Sequence, residues 1–305
     1  LSTTTIRDGE PSAEDARRAR ERRPGGRGET RIGGEDRAEH GRGSGATSAF
    51  VALLARDVKV LRTNVFTFLI RVIMQPLLLV FVFTYVFPKI GEAVGGRAKA
   101  ATFSTILVAG VVGLSILFQG IQGVALTLVQ EFGYTREIED RVLAPLPVAA
   151  VALEKVVGAA IQGLIAAACV FPLAAFIPAT PVHLSVDWPV LLTVAPLAAL
   201  LAGSLGLAIG TLIPPQKVAL IFTIIVLPLT FLGALYYPWS ALAPIPWLQY
   251  LVLANPLVYM NEALRAALTS GIPHLNLAVT YVAMIAYTVV LATVGIWGFR
   301  RRVLD

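Results

Sequence analysis

The sequence predicts an all-α integral membrane protein: six transmembrane helices, an N-terminal interfacial helix, a charged cytoplasmic segment and re-entrant helices on the outer face. Three observations predict it. Hydrophobic residues make up 56% of the 305 and charged residues 14%, and mean hydropathy is +0.73, more apolar surface than a soluble domain hides. Six apolar stretches are each long enough to cross about 30 Å of hydrocarbon at about 1.5 Å per residue. Outside the first 46 residues, Lys and Arg gather at the segment ends that would share one membrane face.

The chain divides into a tail, 1–46, and a membrane domain, 47–305. The tail holds 10 Arg against 9 Asp plus Glu and almost no large apolar residue, a composition that predicts a solvated, disordered extension. It has no apolar core of a signal peptide, so no cleavage on export is expected there. A pI of about 9.7 would suit nucleic acid. The tail is nearly neutral, however, and the basic excess flanks apolar spans, so no nucleic-acid partner is expected and the lipid membrane is. In 47–62, Phe50, Leu54, Val58 and Leu61 alternate with Arg56, Lys59 and Arg62, the spacing of an amphipathic helix lying in the inner interface.

The spans are expected near Asn64–Phe87, Ala101–Val129, Val148–Ile177, Trp188–Ile213, Val218–Tyr237 and Leu275–Phe299. Pro76, Pro172, Pro196 and Pro228 fall inside them, where kinks are expected. With the N-terminus inside, inner ends and loops carry ten basic residues (among them Lys217 and Arg300 to Arg302) and outer ones four, Lys89, Arg97, Lys99 and Arg265. This bias predicts a multi-pass protein of the cytoplasmic (inner) membrane with both termini cytoplasmic. The segment 238–272 is too apolar for an exposed loop, and Pro238, Pro244, Pro246 and Pro256 interrupt it. Trp239, Trp247, Tyr250 and Tyr259 suit the headgroup region. A re-entrant or interfacial hairpin on the outer face explains it; a seventh span would place Arg300 to Arg302 outside.

The charge is concentrated in one place. Outside the tail there are 15 basic and 10 acidic residues, and six of these 25 lie between Glu131 and Arg141. Long apolar segments flank this island, so it is read as a compact cytoplasmic loop offered to a soluble partner. At membrane depth, Gly110, Gly113, Gly120 and Gly123 of the second span adjoin Gln119, Gln122 and Gln130. That pattern suits a pathway-lining or dimer-facing helix, and equally ordinary helix packing. Arg71 and Gln75 stand one turn apart in the first span, and Arg71 is shallow enough to snorkel inward. Glu154 and Lys155, near the inner end of the third span, can pair with each other or with the island.

Catalytic and metal-binding patterns are missing from the sequence. It holds no phosphate-cradling Gly-x4-Gly-Lys-Ser/Thr loop and no His-Glu-x-x-His pair. Ser204 lies in a small-residue stretch with no histidine at membrane depth to take its proton, and Cys169, the one cysteine, reads as an apolar packing residue. The chain is therefore expected not to be an enzyme and to bind no cofactor or metal.

Two stretches carry a family resemblance. One is the island, Glu131-Phe-Gly-Tyr-Thr-Arg-Glu-Ile-Glu-Asp-Arg-Val-Leu-Ala-Pro-Leu-Pro147, continuing to Lys155. The other is Asn255-Pro-Leu-Val-Tyr-Met-Asn-Glu-Ala-Leu-Arg265, after the turn-out from Phe231 to Pro238. With six spans, Thr47 to Asp305 resembles the ABC-2 type exporter permeases that serve drug, polyketide or lipo-oligosaccharide export. The tail lies outside the resemblance. The resemblance implies that 130–146 is a coupling helix docking on a separate ABC ATPase subunit, through Glu131, Arg136, Glu137, Glu139, Asp140 and Arg141. ATP and Mg would be bound by that partner. It also implies a connecting helix at 47–62, outer helices at 238–272 carrying Asn255, Glu262 and Arg265, and a dimer with a second permease copy or homologue. On that analogy Gln119, Gln122 and the Phe222–Phe231 stretch line the route. The expected function is movement of an amphipathic or hydrophobic drug, lipid or glycolipid across the cytoplasmic membrane. The rivals are an ion-gradient-driven secondary transporter, which would need a membrane-depth carboxylate or broken inverted repeats, and a non-transporting membrane scaffold.

Overall fold

The structure, a computed structural model, describes residues 35–91, 99–131, 147–214, 217 and 222–304, with side chains from Ser48 onward except those of Phe222 and Leu304. The chain divides into two units, Leu1–Ser44 and Gly45–Asp305, and the second holds all of the apolar helices. Every regular element among the described residues is helical. The first helix, α1, is Glu35–Thr63. Five helices are long and apolar enough to cross a membrane: α2 (Val65–Ile90), α3 (Ala100–Gln130), α4 (Val148–Phe176), α5 (Trp188–Leu212) and, near the C-terminus, Leu277–Val303. Between the last two, the described residues include three short α-helices, α6 (Leu227–Phe231), α7 (Pro246–Leu251) and α8 (Pro256–Leu268); the final helix, α9, runs Leu277–Leu304.

Five of the six expected spans are therefore present within a few residues of their predicted ends. The expected span Val218–Tyr237 is described only from Phe222, as a π-helical turn Phe222–Val226 followed by α6. Its predicted upper end is corrected: helix stops at Phe231, and Ala234 takes a positive φ of 55°. The turn is held by side chains from α8 and its cap. Asn261 Nδ2 donates to Gly233 O (2.6 Å) and Asn255 Nδ2 donates to Leu229 O (2.7 Å).

The core lies around α3, which is buried along most of its length by α4, α5 and α8. Leu107, Ile116, Leu117 and Ile121 of α3 meet Leu264 and Leu268 of α8 and Met284 of α9 in one cluster. At Gly120 and Gly206, α3 and α5 pack backbone to backbone. A Cβ added to Gly206 would stand 2.8 Å from Gly120 O, and one on Gly120 would stand 2.5 Å from Ala202 Cβ. Small residues let helices approach this closely in lipid, where dispersion replaces the hydrophobic effect as the driving force. The glycines of the second span thus serve packing inside the bundle, the plainer of the two sequence readings.

By contrast α2 is held on one stripe, Phe68, Val72, Pro76 and Val80, each one turn from the next. The opposite stripe, Phe66, Ile70, Met74 and Leu78, is exposed. Pro88 has no N–H to give the carbonyl of Thr84 one turn back. That carbonyl instead accepts from Ala179 N at 2.9 Å, and a π-helical turn, Phe81–Val86, precedes the proline.

At Asn64 (φ −108°, ψ 25°) α1 breaks into α2. Ala49 and Leu53 pack on the cluster around Val124 and Val151, and Leu61 packs near Phe68, whereas Val58 is exposed. Asp57 falls on the packed side, its carboxylate facing Gly158 of α4 where the missing side chain leaves room. A pure apolar-period count could not foresee an aspartate on that face.

Candidate functional site

A polar cavity of about 430 Å³ opens between α1, α2, α3 and α4. It exists because α2 leans on α4 along only one stripe and α1 diverges from it at Asn64. Its wall carries Arg56 and Asp57 from α1, Arg71 from α2, Gln130 and Glu131 from the end of α3, and Lys155 and Gln162 from α4. Lys155 Nζ donates to Glu131 Oε1 at 2.6 Å, with both side chains almost fully buried. Lys155 thus pairs with the island, and it does so with the island's first residue. A buried ion pair of this kind fixes geometry more than it adds stability, because desolvation offsets most of the attraction. Glu131, the last described residue before 147, is accordingly held away from solvent.

Arg136, Glu137, Glu139, Asp140 and Arg141 lie outside the described residues, as does the rest of 132–146. Arg56, Lys59 and Arg62 are exposed on α1, with Arg56 alone of the three at the cavity wall.

Above this cavity, Gln119 is buried and its Nε2 donates to Gln162 Oε1 at 2.9 Å. Sequence reasoning passed over Gln162; a single glutamine in the apolar third span was the available signal. Gln119 and Gln122 border a small cavity of about 30 Å³ together with Arg71 and Gln75. Beyond it lies a groove of about 560 Å³ between α2, α3 and α6, lined by Leu78, Phe83, Phe118, Phe231 and Tyr236 among others. All three spaces share Arg71. Three of the four residues expected to line a route, Gln119, Gln122 and Phe231, therefore border adjoining cavities. The side chain of the fourth, Phe222, lies outside the described ones.

Asn255, Glu262 and Arg265 form a buried frame for the segment 238–272. Asn255 Oδ1 caps α8 by accepting from Leu257 N at 2.9 Å, a favoured use of Asn at a helix start. Glu262 Oε1 accepts from Trp239 N and Oε2 from Leu275 N, each at 2.8 Å, and Arg265 Nη1 bonds the same carboxylate. Arg265 Nη2 donates to Ala234 O at 2.7 Å and, more weakly, to Tyr237 O at 3.4 Å. Both charges in this frame have polar partners, as burial requires, while Arg265 Nε is buried without one.

A bundle of long apolar helices, with open polar and apolar cavities along one side of it, has the make-up of a polytopic membrane protein. The chain belongs to the ABC-2 type transporter family, whose model matches residues 48–269. It is a membrane transport permease of that family. Its sequence is 27% identical over 212 residues to the inner membrane transport permease YadH of Escherichia coli strain K12, covering 68% of this chain and 79% of that permease. The likeness to YadH of Shigella flexneri is the same. Both stretches that carried the resemblance fall inside the family match, which stops before α9.

Proposed function

We propose that this permease is the membrane-spanning subunit of an ATP-driven exporter, working with a separate ABC ATPase subunit that binds ATP and Mg, and with a second permease copy or homologue. Its cargo is an amphipathic or hydrophobic molecule such as a drug, lipid or glycolipid, moved across the cytoplasmic membrane. In this reading Phe222–Phe231 belongs to a sixth span, both termini are cytoplasmic, α1 lies in the inner interface, 130–146 is the coupling helix and 238–272 is re-entrant on the outer face. The sequence divides into the tail 1–46 and the permease domain 47–305.

The observation that carries the reading is the buried Lys155–Glu131 pair at the root of the charged loop, on the wall of the polar cavity. Force applied to the loop reaches α3 and α4 at the point where cargo would enter. A motor shifts a two-state bundle only through contacts that differ between the states, and Arg136, Glu137, Glu139, Asp140 and Arg141 supply charges of both signs for such contacts. Gln119, Gln122, Phe222 and Phe231 line the route.

The test is ATP hydrolysis by the cognate ATPase co-reconstituted with the permease in nanodiscs, with wild type and with Glu139→Lys/Asp140→Lys. Stimulation by wild type that is lost in the double variant, with insertion unchanged, is the expected result. Stimulation of equal size with both, or transport that continues without nucleotide and follows an ion gradient, would overturn the reading.

A further inference from the structure

The adjoining cavities have the polarity of an amphiphile. On α2, Arg71, Met74, Gln75, Leu78 and Val82 follow one another at helical spacing and line a single face of the groove. The two polar residues lie towards its start and the apolar ones run beyond them, facing Leu114 and Phe118 of α3 and Leu227 and Phe231 of α6. Arg71 lies six residues into α2, roughly 9 Å along its axis, so its guanidinium stands where polar headgroup gives way to hydrocarbon.

The charges around it do not balance. The lining of the inner cavity carries three cations, Arg56, Arg71 and Lys155, against two carboxylates, Asp57 and Glu131, and Lys155 is the one paired with Glu131. Among the described residues Arg71 has neither an ion pair nor a hydrogen bond, and it is exposed to all three spaces. A cation at membrane depth needs an anionic or polar partner, and guanidinium is the side chain best shaped for phosphate or carboxylate.

We infer that the groove between α2, α3 and α6 binds an amphiphile whose anionic head is held by Arg71, with Gln75 beside it, and whose tail lies along Met74, Leu78 and Val82. This rests on the exporter reading and narrows its cargo to acidic amphiphiles. It also assigns to Arg71 a role beyond snorkelling.

Native mass spectrometry of the full chain in micelles tests the site without any ATPase. Phosphatidylglycerol should be retained over phosphatidylcholine of identical acyl chains by about tenfold or more, the size expected for a charged hydrogen-bonded contact. Arg71→Gln should abolish that preference and Arg71→Lys should keep most of it. Leu78→Trp, which narrows the groove and leaves Arg71 in place, should reduce retention of phosphatidylglycerol. Helix content and elution of each variant establish folding. Equal retention of the two lipids, an unchanged preference in Arg71→Gln, or binding of glycerol 3-phosphate as tight as that of the whole lipid would each overturn the assignment.

A second arm separates cargo from resident lipid. In nanodiscs, permease-stimulated ATP hydrolysis should rise further when phosphatidylglycerol is added, and Arg71→Gln should remove that increment. Stimulation by the permease with no increment would overturn the cargo assignment alone. No stimulation in any lipid would overturn the exporter reading, while lipid retention still decides the site.

Discussion

Lys155 and Glu131 are the residues whose roles changed most between sequence and structure. The sequence allowed Lys155 either Glu154 or the island as partner, because neighbouring and distant carboxylates look alike without coordinates. The structure joins it to Glu131 at 2.6 Å in a nearly dry site. Removing one member of a buried pair leaves a charge without its counter-ion. Lys155→Met should therefore lower stability by roughly 3–5 kcal/mol, read as a fall in the thermal unfolding midpoint in detergent. Glu131→Gln/Lys155→Met should recover most of that loss, since neither charge of the pair remains. Asp57 and Gln162 escaped sequence reasoning for a related reason: each is a single polar residue whose meaning depends on what stands opposite, Gly158 for one and Gln119 for the other.

At the level of elements, long spans were legible and short helices were not. Twenty or more apolar residues between charges leave few options, so α2, α3, α4, α5 and α9 begin and end within a few residues of expectation. The stretch Leu232–Tyr237 is as apolar as a span, yet it turns, because the side-chain amides of Asn255 and Asn261 supply hydrogen bonds that a helix would otherwise provide. Such substitution cannot be seen in hydropathy. The glycines of α3 were visible as a packing surface, and only the coordinates show α5 as the surface they meet. Gly206→Leu should push α5 off Gly120 and Ile121 and cost roughly 1–3 kcal/mol. Leu192→Ala on the same helix, 68% exposed, should change stability by only about 0.5 kcal/mol or less. Comparing the two unfolding midpoints checks the claim.

For the whole molecule, the proposed sixth span has a direct consequence for sidedness. Lys217 precedes the segment and His274 follows the turns beyond it, so the two should face opposite sides of the membrane. Single-cysteine variants Lys217→Cys and His274→Cys, made in a Cys169→Ser background, should label with an impermeant maleimide from the inside and the outside respectively. Labelling of both from one side would show that 218–237 does not cross. Composition alone was enough for the membrane class, and the stretches 131–147 and 255–265 pointed to the family that the match over 48–269 established. The cavity series was illegible, because it arises from the lean of α2 and the break at Asn64, which depend on packing rather than on any local pattern.

The Glu262 carboxylate closes a ring. One of its oxygens holds the backbone of Trp239 and the other that of Leu275, so a single side chain joins the two ends of the excursion between them. Hydrogen bonds of this kind hold the loop closed within the folded state, and the entropy cost of that closure grows only slowly with loop length. Here the closure is made without sulfur, in a chain with one cysteine. The excursion therefore keeps its closed form whether its surroundings are oxidising or reducing.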